Sequence, residues 1–343
     1  DENDIICHSE GYRLGIASNH ADVMHWFPKH GESMDTFRAA VKRALEKDTN
    51  DSAEIGIGDL VEFKDSAGSY YPGSAAMSIA SVGCNFRCTF CQNADISQMV
   101  ADHGRIEGRD VPAEAVVQAA QRYNCRSIAY TYTEPTIWFE YTYDCAKLAH
   151  QAGIANVYVT NGYMTPEMLD MVSHPGAVTS TLAQSPLIDA ANVDLKSFRD
   201  EFYRQQCRAR LQPVLDSLIL MKQRGIWLEV TTLVIPGLND SDEELRDIAR
   251  FLVRELGPET PWHVSRFHPT YKLTDRPSTP VSTVHRARAI GLEEGLHYVY
   301  EGNVPANEGE NTVCPACGTT VVQRAGFTVR AQNTREGACA RCG

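Results

Sequence analysis

The sequence predicts an α/β fold, a partial (β/α)6 TIM-like barrel with a small N-terminal α+β segment and a C-terminal metal module. Three observations predict it. Apolar strand-like runs alternate with amphipathic helix-like runs from about Ala76 to Glu301, and six such repeats specify a parallel sheet with right-handed crossovers. Polar, chemistry-bearing residues recur just after the strand-like runs, at the strand ends where barrels of this kind carry their chemistry. Two CxxC pairs close the chain, the pattern of a small metal-held module. The expected organisation is an extension over residues 1–75, the barrel over 76–305 and the metal module over 306–343.

Each element has a local reason. Met34–Lys47 reads as a helix with Phe37, Val41, Ala44 and Leu45 on one side, Ile55–Lys64 as a strand, and Tyr70-Tyr71-Pro72-Gly73 as a turn into the barrel. His20, His25 and His30 share no helical face and read as surface histidines. Strands are expected at Ala76–Val82, Ser127–Tyr132, Asn156–Thr160, Ala191–Leu195, Trp227–Val234 and His263–Phe267. Helical spacing between them covers Ala113–Arg122, Trp138–Gln151, Pro166–Val172, Leu211–Arg224, Asp242–Leu256 and Thr283–Glu294. Thr165-Pro166 puts proline just inside a helix start, and Ser241-Asp242-Glu243-Glu244 is a capping-box sequence.

Composition narrows the function classes. With 43% hydrophobic residues the chain can fill a sizeable core. No apolar run reaches the roughly 18 residues needed to cross a bilayer, so it reads as a soluble protein without a membrane partner. A net charge of −12 argues against a broad basic nucleic-acid surface, although Arg204, Arg208 and Arg210 form a local basic group. The eleven cysteines fall into two clusters plus the scattered Cys7, Cys125, Cys145 and Cys207. Clustered thiols without a secretory signal suit a reducing cytoplasm and metal binding. The chain opens at Asp1 rather than methionine, as expected where the true N-terminus is missing.

The densest signal is Cys84-Asn85-Phe86-Arg87-Cys88-Thr89-Phe90-Cys91, a CxxxCxxC loop directly after the first strand. Iron–sulfur clusters are held by thiolates, normally four. Three in one loop can seat three corners of a [4Fe–4S] cube and leave one iron open, which is where substrate or cofactor chemistry occurs on a metal. Zinc ligation and metal-free buried thiols are the alternatives, but no second CxxC or His-x-His stands near Cys91. This spacing, followed by Gln92-Asn93, resembles the radical S-adenosylmethionine (SAM) enzymes, whose open iron binds SAM.

Other strand ends offer weaker signals. Glu134, in Thr131-Tyr132-Thr133-Glu134-Pro135-Thr136, could bond an amino group or serve as an N-terminal anion of the next helix. Asn161-Gly162 suits a tight turn. Asp194 and Lys196 could hold ribose hydroxyls and a carboxylate, or form a structural ion pair. Val234-Ile235-Pro236-Gly237-Leu238-Asn239 could present backbone amides or be an ordinary turn, and His268 could donate a hydrogen bond near a substrate. Cys207 reads as a small buried hydrophobe.

CNFRCTFCQN, AYTYTEPT, VTNGYMTPE, NVDLK, TTLVIPGLND, WHVSRFHP and YVYEGNVP together resemble the radical SAM enzyme of the AmmeMemoRadiSam system, within the class similar to pyruvate-formate-lyase-activating enzymes. The resemblance runs from about Tyr71 to the C-terminus. It implies an oxidoreductase in which Cys84, Cys88 and Cys91 ligate the cluster and Gln92, Asn93, Glu134, Asn161, Asp194, Lys196 and His268 surround SAM. It also implies a flavodoxin- or ferredoxin-type electron donor, and Memo-like and AMME-region-type proteins as partners. A glycyl-radical activase, or a non-catalytic iron–sulfur and zinc carrier or scaffold, is the alternative. Two features depart from the pattern: only Cys7 remains of an N-terminal cysteine-rich segment, and Val159 stands where the activating enzymes carry an aspartate of a cation site.

Cys314, Cys317, Cys339 and Cys342 form the terminal CxxC…CxxC pair, with strand-like Val321–Arg324 and Phe327–Arg330 between them. Four thiolates closing a tetrahedron suit structural zinc, and the module reads as a zinc ribbon; a rubredoxin-like iron or a second cluster is the alternative.

Overall fold

The computed structural model describes residues 63–65, 69–71, 74–173, 186–304, 308–325, 328–335 and 337–343. The chain divides into two compact units, Asp1–Ile57 and Gly58–Gly343, and every described residue belongs to the second. The expected helix at Met34–Lys47, the three surface histidines and most of the strand expected at Ile55–Lys64 lie outside the described residues.

Seven strands form one parallel sheet in chain order: β1 Ala76–Ile79, β2 Ser127–Tyr130, β3 Ala155–Thr160, β4 Ala190–Asp194, β5 Trp227–Val234, β6 Trp262–Arg266 and β7 Val299–Gly302. The connecting helices are α1 Ala113–Arg122, α2 Phe139–Gln151, α3 Pro166–Ser173, α4 Gln212–Gln223, α5 Asp242–Phe251 and α6 Val281–Glu293. All six expected strands and all six expected helices are present. The seventh strand went unread because it is four residues long and Glu301 interrupts its apolar run. No helix of the described residues is long and apolar enough to cross a membrane.

Outward side chains of the sheet make the core. Leu228, Val230 and Val264 are buried beneath the helices, and Trp262 packs against α6 while its indole N–H donates to Thr232 Oγ1 at 3.0 Å. A Cβ at Gly291 of α6 would lie 2.9 Å from the Trp262 ring, so this helix approaches the sheet only with glycine there. Inward side chains behave differently. Asn192, Asp194, Thr231, Leu233, His263 and Ser265 remain partly accessible, so the sheet curves around a lumen.

Local signals are realised with one change. Thr165 Oγ1 accepts from Met168 N at 3.3 Å at the start of α3, and Ser241 Oγ accepts from Glu244 N at 3.3 Å at the start of α5. The Glu244 carboxylate does not complete the capping box. It is buried and instead accepts from Phe198 N at 2.9 Å and from the Ser197 hydroxyl, tying α5 to the loop after β4.

The C-terminal residues form a three-stranded antiparallel sheet, Thr312–Val313, Thr320–Ala325 and Thr328–Gln332, and a hairpin of Thr334–Arg335 with Ala338–Cys339. Among the described residues there, Cys314, Val321 and Val322 form the buried apolar group, too little apolar surface to hold a fold.

Gly162, in the turn after β3, has φ +71°, and a Cβ there would lie 2.7 Å from Val193 Cγ1. Gly162→Ala is expected to lower stability by about 2–4 kcal/mol, left-handed strain plus overpacking. Gly153, with φ +73° and open space around it, gives a matched control in which alanine costs about 1–2 kcal/mol. Urea unfolding midpoints measured side by side check both values and their difference.

Candidate active site

The cysteine loop has no regular structure of its own. Distant segments hold its backbone: Arg87 N donates to Cys207 O at 2.9 Å, Thr89 N to Gln206 O at 2.9 Å and Lys272 N to Thr89 O at 2.9 Å. The Thr89 hydroxyl donates to Gln206 Oε1 at 2.7 Å. Phe86 is buried edge-on against Tyr163 and Tyr203, with ring centroids 5.2 and 6.2 Å apart, and Gln98 Nε2 donates to its carbonyl at 3.2 Å. The loop is therefore fixed by contacts on all sides.

Its thiols are held in the protonated form. Burial pushes Cys84 up to about 12, against the opposing hydrogen bond from Phe86 N at 3.3 Å. A hydrogen bond with the Cys207 thiol, then burial, raises Cys88. Burial raises Cys91, moderated by the Ser97 hydroxyl at 3.1 Å. A single ion with Zn–S bonds of about 2.3 Å would put its sulfurs roughly 3.8 Å apart. Among the described residues, the one group of three or more candidate ligands lying within 4.8 Å of one another is Cys314, Cys317, Cys339 and Cys342. The loop's three thiols line one common cavity, a donor set that fits a multi-iron cluster.

That cavity measures about 350 Å³ and opens at the carboxyl ends of the strands. Cys84, Cys88, Cys91, Gln92, Asn93, Glu134, Asn161, Asp194 and Lys196 all line it. Gln92 is exposed, and Asn93 Nδ2 donates to Tyr132 O at 2.9 Å. Glu134 is fully buried, and burial raises its carboxyl. It accepts from Asn161 N at 2.8 Å, Thr160 Oγ1 at 2.8 Å and Thr136 N at 3.2 Å. It thus bridges the ends of β2 and β3 and caps the short turn Pro135–Trp138, the N-terminal role read as its alternative.

Asn161 Nδ2 donates to Asn85 Oδ1 at 2.6 Å, and its own Oδ1 accepts from Tyr163 N at 3.0 Å. Lys196 Nζ lies 2.8 Å from Asp194 Oδ2, and Tyr203 OH accepts from Lys196 N at 3.0 Å. Burial opposes the lysine's charge, but Asp194 and the Cys88 and Cys207 thiols outweigh it and hold the ammonium well above its usual range.

Two expectations are placed elsewhere, and a third gains a partner. His268 is exposed, with Nδ1 3.1 Å from Ser278 Oγ, and does not line the cavity. The Pro236-Gly237 turn does not face it either. Asn239 there accepts from Ile235 N at 2.6 Å and donates to Lys196 O at 2.7 Å, so the turn braces the Lys196 loop. Cys207 is fully buried, as expected, yet it touches Cys88. Sequence reasoning passed over Thr231, Ser265 and Asn303, which also line the cavity. Thr231 and Ser265 are inward positions of recognised strands, so alternation could have found them; Asn303 follows the unread seventh strand.

In the C-terminal module, Cys314 and Cys342 sulfurs lie 3.6 Å apart and those of Cys317 and Cys339 3.7 Å, close to the edges of a metal tetrahedron. Hydrogen bonds from Thr319 lower Cys317 to about 6, while hydrogen bonds with Cys317 and its neighbours raise Cys342 to about 12. The geometry fits one tetrathiolate-bound ion.

The family model described as the Radical SAM superfamily matches residues 78–252. The uncharacterized protein MJ0808 of Methanocaldococcus jannaschii is 46% identical over 264 residues, 77% of this chain and 74% of that protein. The pyruvate formate-lyase-activating enzyme of Clostridium pasteurianum is 24% identical over 176 residues, 50% of this chain and 66% of that enzyme. Among solved structures, a radical SAM methyltransferase from Sphaerobacter thermophilus aligns with TM-score 0.51 and 16% identity, over 70% of this chain and 69% of that one. Streptococcus suis SuiB bound to S-adenosylmethionine aligns with TM-score 0.52 and 12% identity, over 86% of this chain and 60% of that one. At such identities the likeness extends to the fold.

The three loop thiols are protonated at neutral pH and must ligate as thiolates, so each bound sulfur releases a proton. Anaerobic loading with iron and sulfide is expected to acidify a weakly buffered solution. The apparent iron affinity is expected to rise from pH 7 to pH 9, by up to about tenfold per pH unit for each thiol. Proton release and iron binding measured across that range check both expectations, and an affinity independent of pH would contradict them.

Proposed function

Because the chain belongs to the radical SAM superfamily, we propose that it is a radical SAM enzyme of the AmmeMemoRadiSam system that removes a hydrogen atom from a substrate in the barrel lumen. One observation carries this reading: nine residues expected to hold cluster and cofactor line a single cavity at the strand ends. Cys84, Cys88 and Cys91 would hold a [4Fe–4S] cluster. Asn93, Glu134, Asn161, Asp194 and Lys196 would surround SAM, with Gln92 at its edge. Bound there, cluster and SAM supply a 5′-deoxyadenosyl radical through one-electron cleavage of the sulfonium.

The chain's own side chains position and exclude. Glu134 sets the ends of β2 and β3. Asn161 and Asn85 orient one another beside Cys84. Lys196 stays charged against Asp194 and can meet a carboxylate. Phe86 and Phe90, both buried, keep water from the loop. A flavodoxin- or ferredoxin-type protein would deliver the electron, and Memo-like and AMME-region-type proteins would act as partners. The C-terminal cysteines would hold structural zinc. Similarity to the C. pasteurianum enzyme favours a second reading, an activase that places its radical on a partner protein.

Anaerobically reconstituted protein given dithionite and SAM is expected to form 5′-deoxyadenosine, and Cys88→Ala to form none. Absence of product from fully loaded protein, with and without candidate partners, would sink the reading. Metal analysis separates the second site: one zinc per chain is expected, lost in Cys317→Ser while the iron content is kept. Zinc that survives in that variant would refute the assignment.

A further inference from the structure

Beneath the cavity, the lumen holds a pair of titratable side chains with no role in the cluster or SAM site. Glu229 of β5 stands two residues before Thr231, and His263 of β6 two residues before Ser265. Thr231 and Ser265 line the cavity, and strand alternation puts Glu229 and His263 on the same inward side, each about 7 Å nearer the amino end of its strand and outside the cavity's own lining. In register His263 stands level with Thr231, and Glu229 with Asn192 one step below. Glu229 Oε2 lies 2.7 Å from His263 Nε2, and the imidazole stacks on Tyr300 with ring centroids 5.2 Å apart and planes at 25°.

Glu229 is 2% exposed, and its Oε1 has no hydrogen-bond partner among the described residues. An unmet buried carboxylate oxygen costs free energy that a ligand donor recovers. The nearest inward donor above it, the Thr231 hydroxyl, is already given to Asn192 Oδ1 at 2.8 Å. Asp194 is neutralised by Lys196. Among the described residues the Thr133 hydroxyl, in the cavity wall, and Glu229 Oε1 are inward polar atoms left without a partner. Of the two only Glu229 is a carboxylate, and an anionic acceptor favours a cationic N–H donor.

We propose that Glu229 and His263 form the deep end of the substrate pocket and bind an amino group of the substrate. This rests on the radical SAM reading, which makes the lumen the place where the substrate lies. Glu229 accepts the amine's hydrogen bond through Oε1. His263, fixed by Tyr300 and by Oε2, keeps the carboxylate turned toward the lumen.

The test uses ethanolamine as probe, with 1,2-dimethoxyethane, which has no donor, as its control. Full-length, cluster-loaded, oxidised protein carrying 15N-labelled histidine is titrated with each, and the His263 ring signals, assigned with His263→Gln, are followed by NMR. Ethanolamine at millimolar concentration is expected to shift those signals saturably, the control to leave them unmoved, and Glu229→Gln to weaken the effect about tenfold or more. No saturable shift, an equal shift with the control, or undiminished binding in Glu229→Gln overturns the proposal. Should Glu229→Gln not fold, Asn192→Asp decides. It keeps an oxygen for the Thr231 hydroxyl and adds charge beside Glu229, its register partner, so binding should tighten severalfold; unchanged binding rejects the subsite. Formation of 5′-deoxyadenosine by the unsubstituted protein reads the underlying chemistry separately, so either idea can fail while the other stands.

Discussion

Parallel alignment of the seven strands is the constraint on which the rest of the structure depends. Because every strand runs the same way, every carboxyl end arrives at one rim, and residues far apart in sequence meet there. Register then decides depth. Asp194, Thr231 and His263 stand level with one another, Leu233 pairs with Ser265 one inward step above, and Asn192 pairs with Glu229 one inward step below. The outward positions of the same strands are buried and mostly apolar beneath the helices, with Asn156 and Thr232 as hydrogen-bonded exceptions. A single alternation thus separates core from chemistry.

Much of this was legible in the sequence because it is local. Helix starts, strand runs, the CxxxCxxC loop and the two terminal CxxC pairs each declare themselves within a few residues. What was not legible depends on partners far along the chain. Glu134 reads from sequence as a strand-end carboxylate, but only the fold shows that Thr160 and Asn161, at the end of the neighbouring strand, hold it. His268 stands at a strand end, yet its ring turns to Ser278. Glu229 and His263 lie on adjacent strands but 34 residues apart, and only the sheet's pairing reveals them as a couple. The seventh strand was lost because four residues with a glutamate among them do not form a recognisable run.

The two cysteine groups meet their ligands by opposite physics. In the barrel loop, distant segments hold the backbone and burial raises the Cys84 and Cys91 thiols. In the C-terminal module the apolar core is three residues, and the four sulfurs themselves are its centre. The module also reaches the lumen: the Thr312 hydroxyl meets Tyr300 OH at 2.9 Å, Arg324 Nη1 donates to Thr312 Oγ1 at 2.7 Å, and Tyr300 stacks on His263. The tetrathiol module and the floor of the barrel are thereby joined through one aromatic ring.

The cradle around the cysteine loop has a consequence for biosynthesis. Its struts come from Gln206, Cys207 and Lys272, all of which leave the ribosome long after Cys84, Cys88 and Cys91. A nascent chain therefore exposes three unsupported thiols for much of its synthesis, without the walls that shield them in the finished fold. Completion of the loop's surroundings must wait for the sixth strand and the turn beyond it.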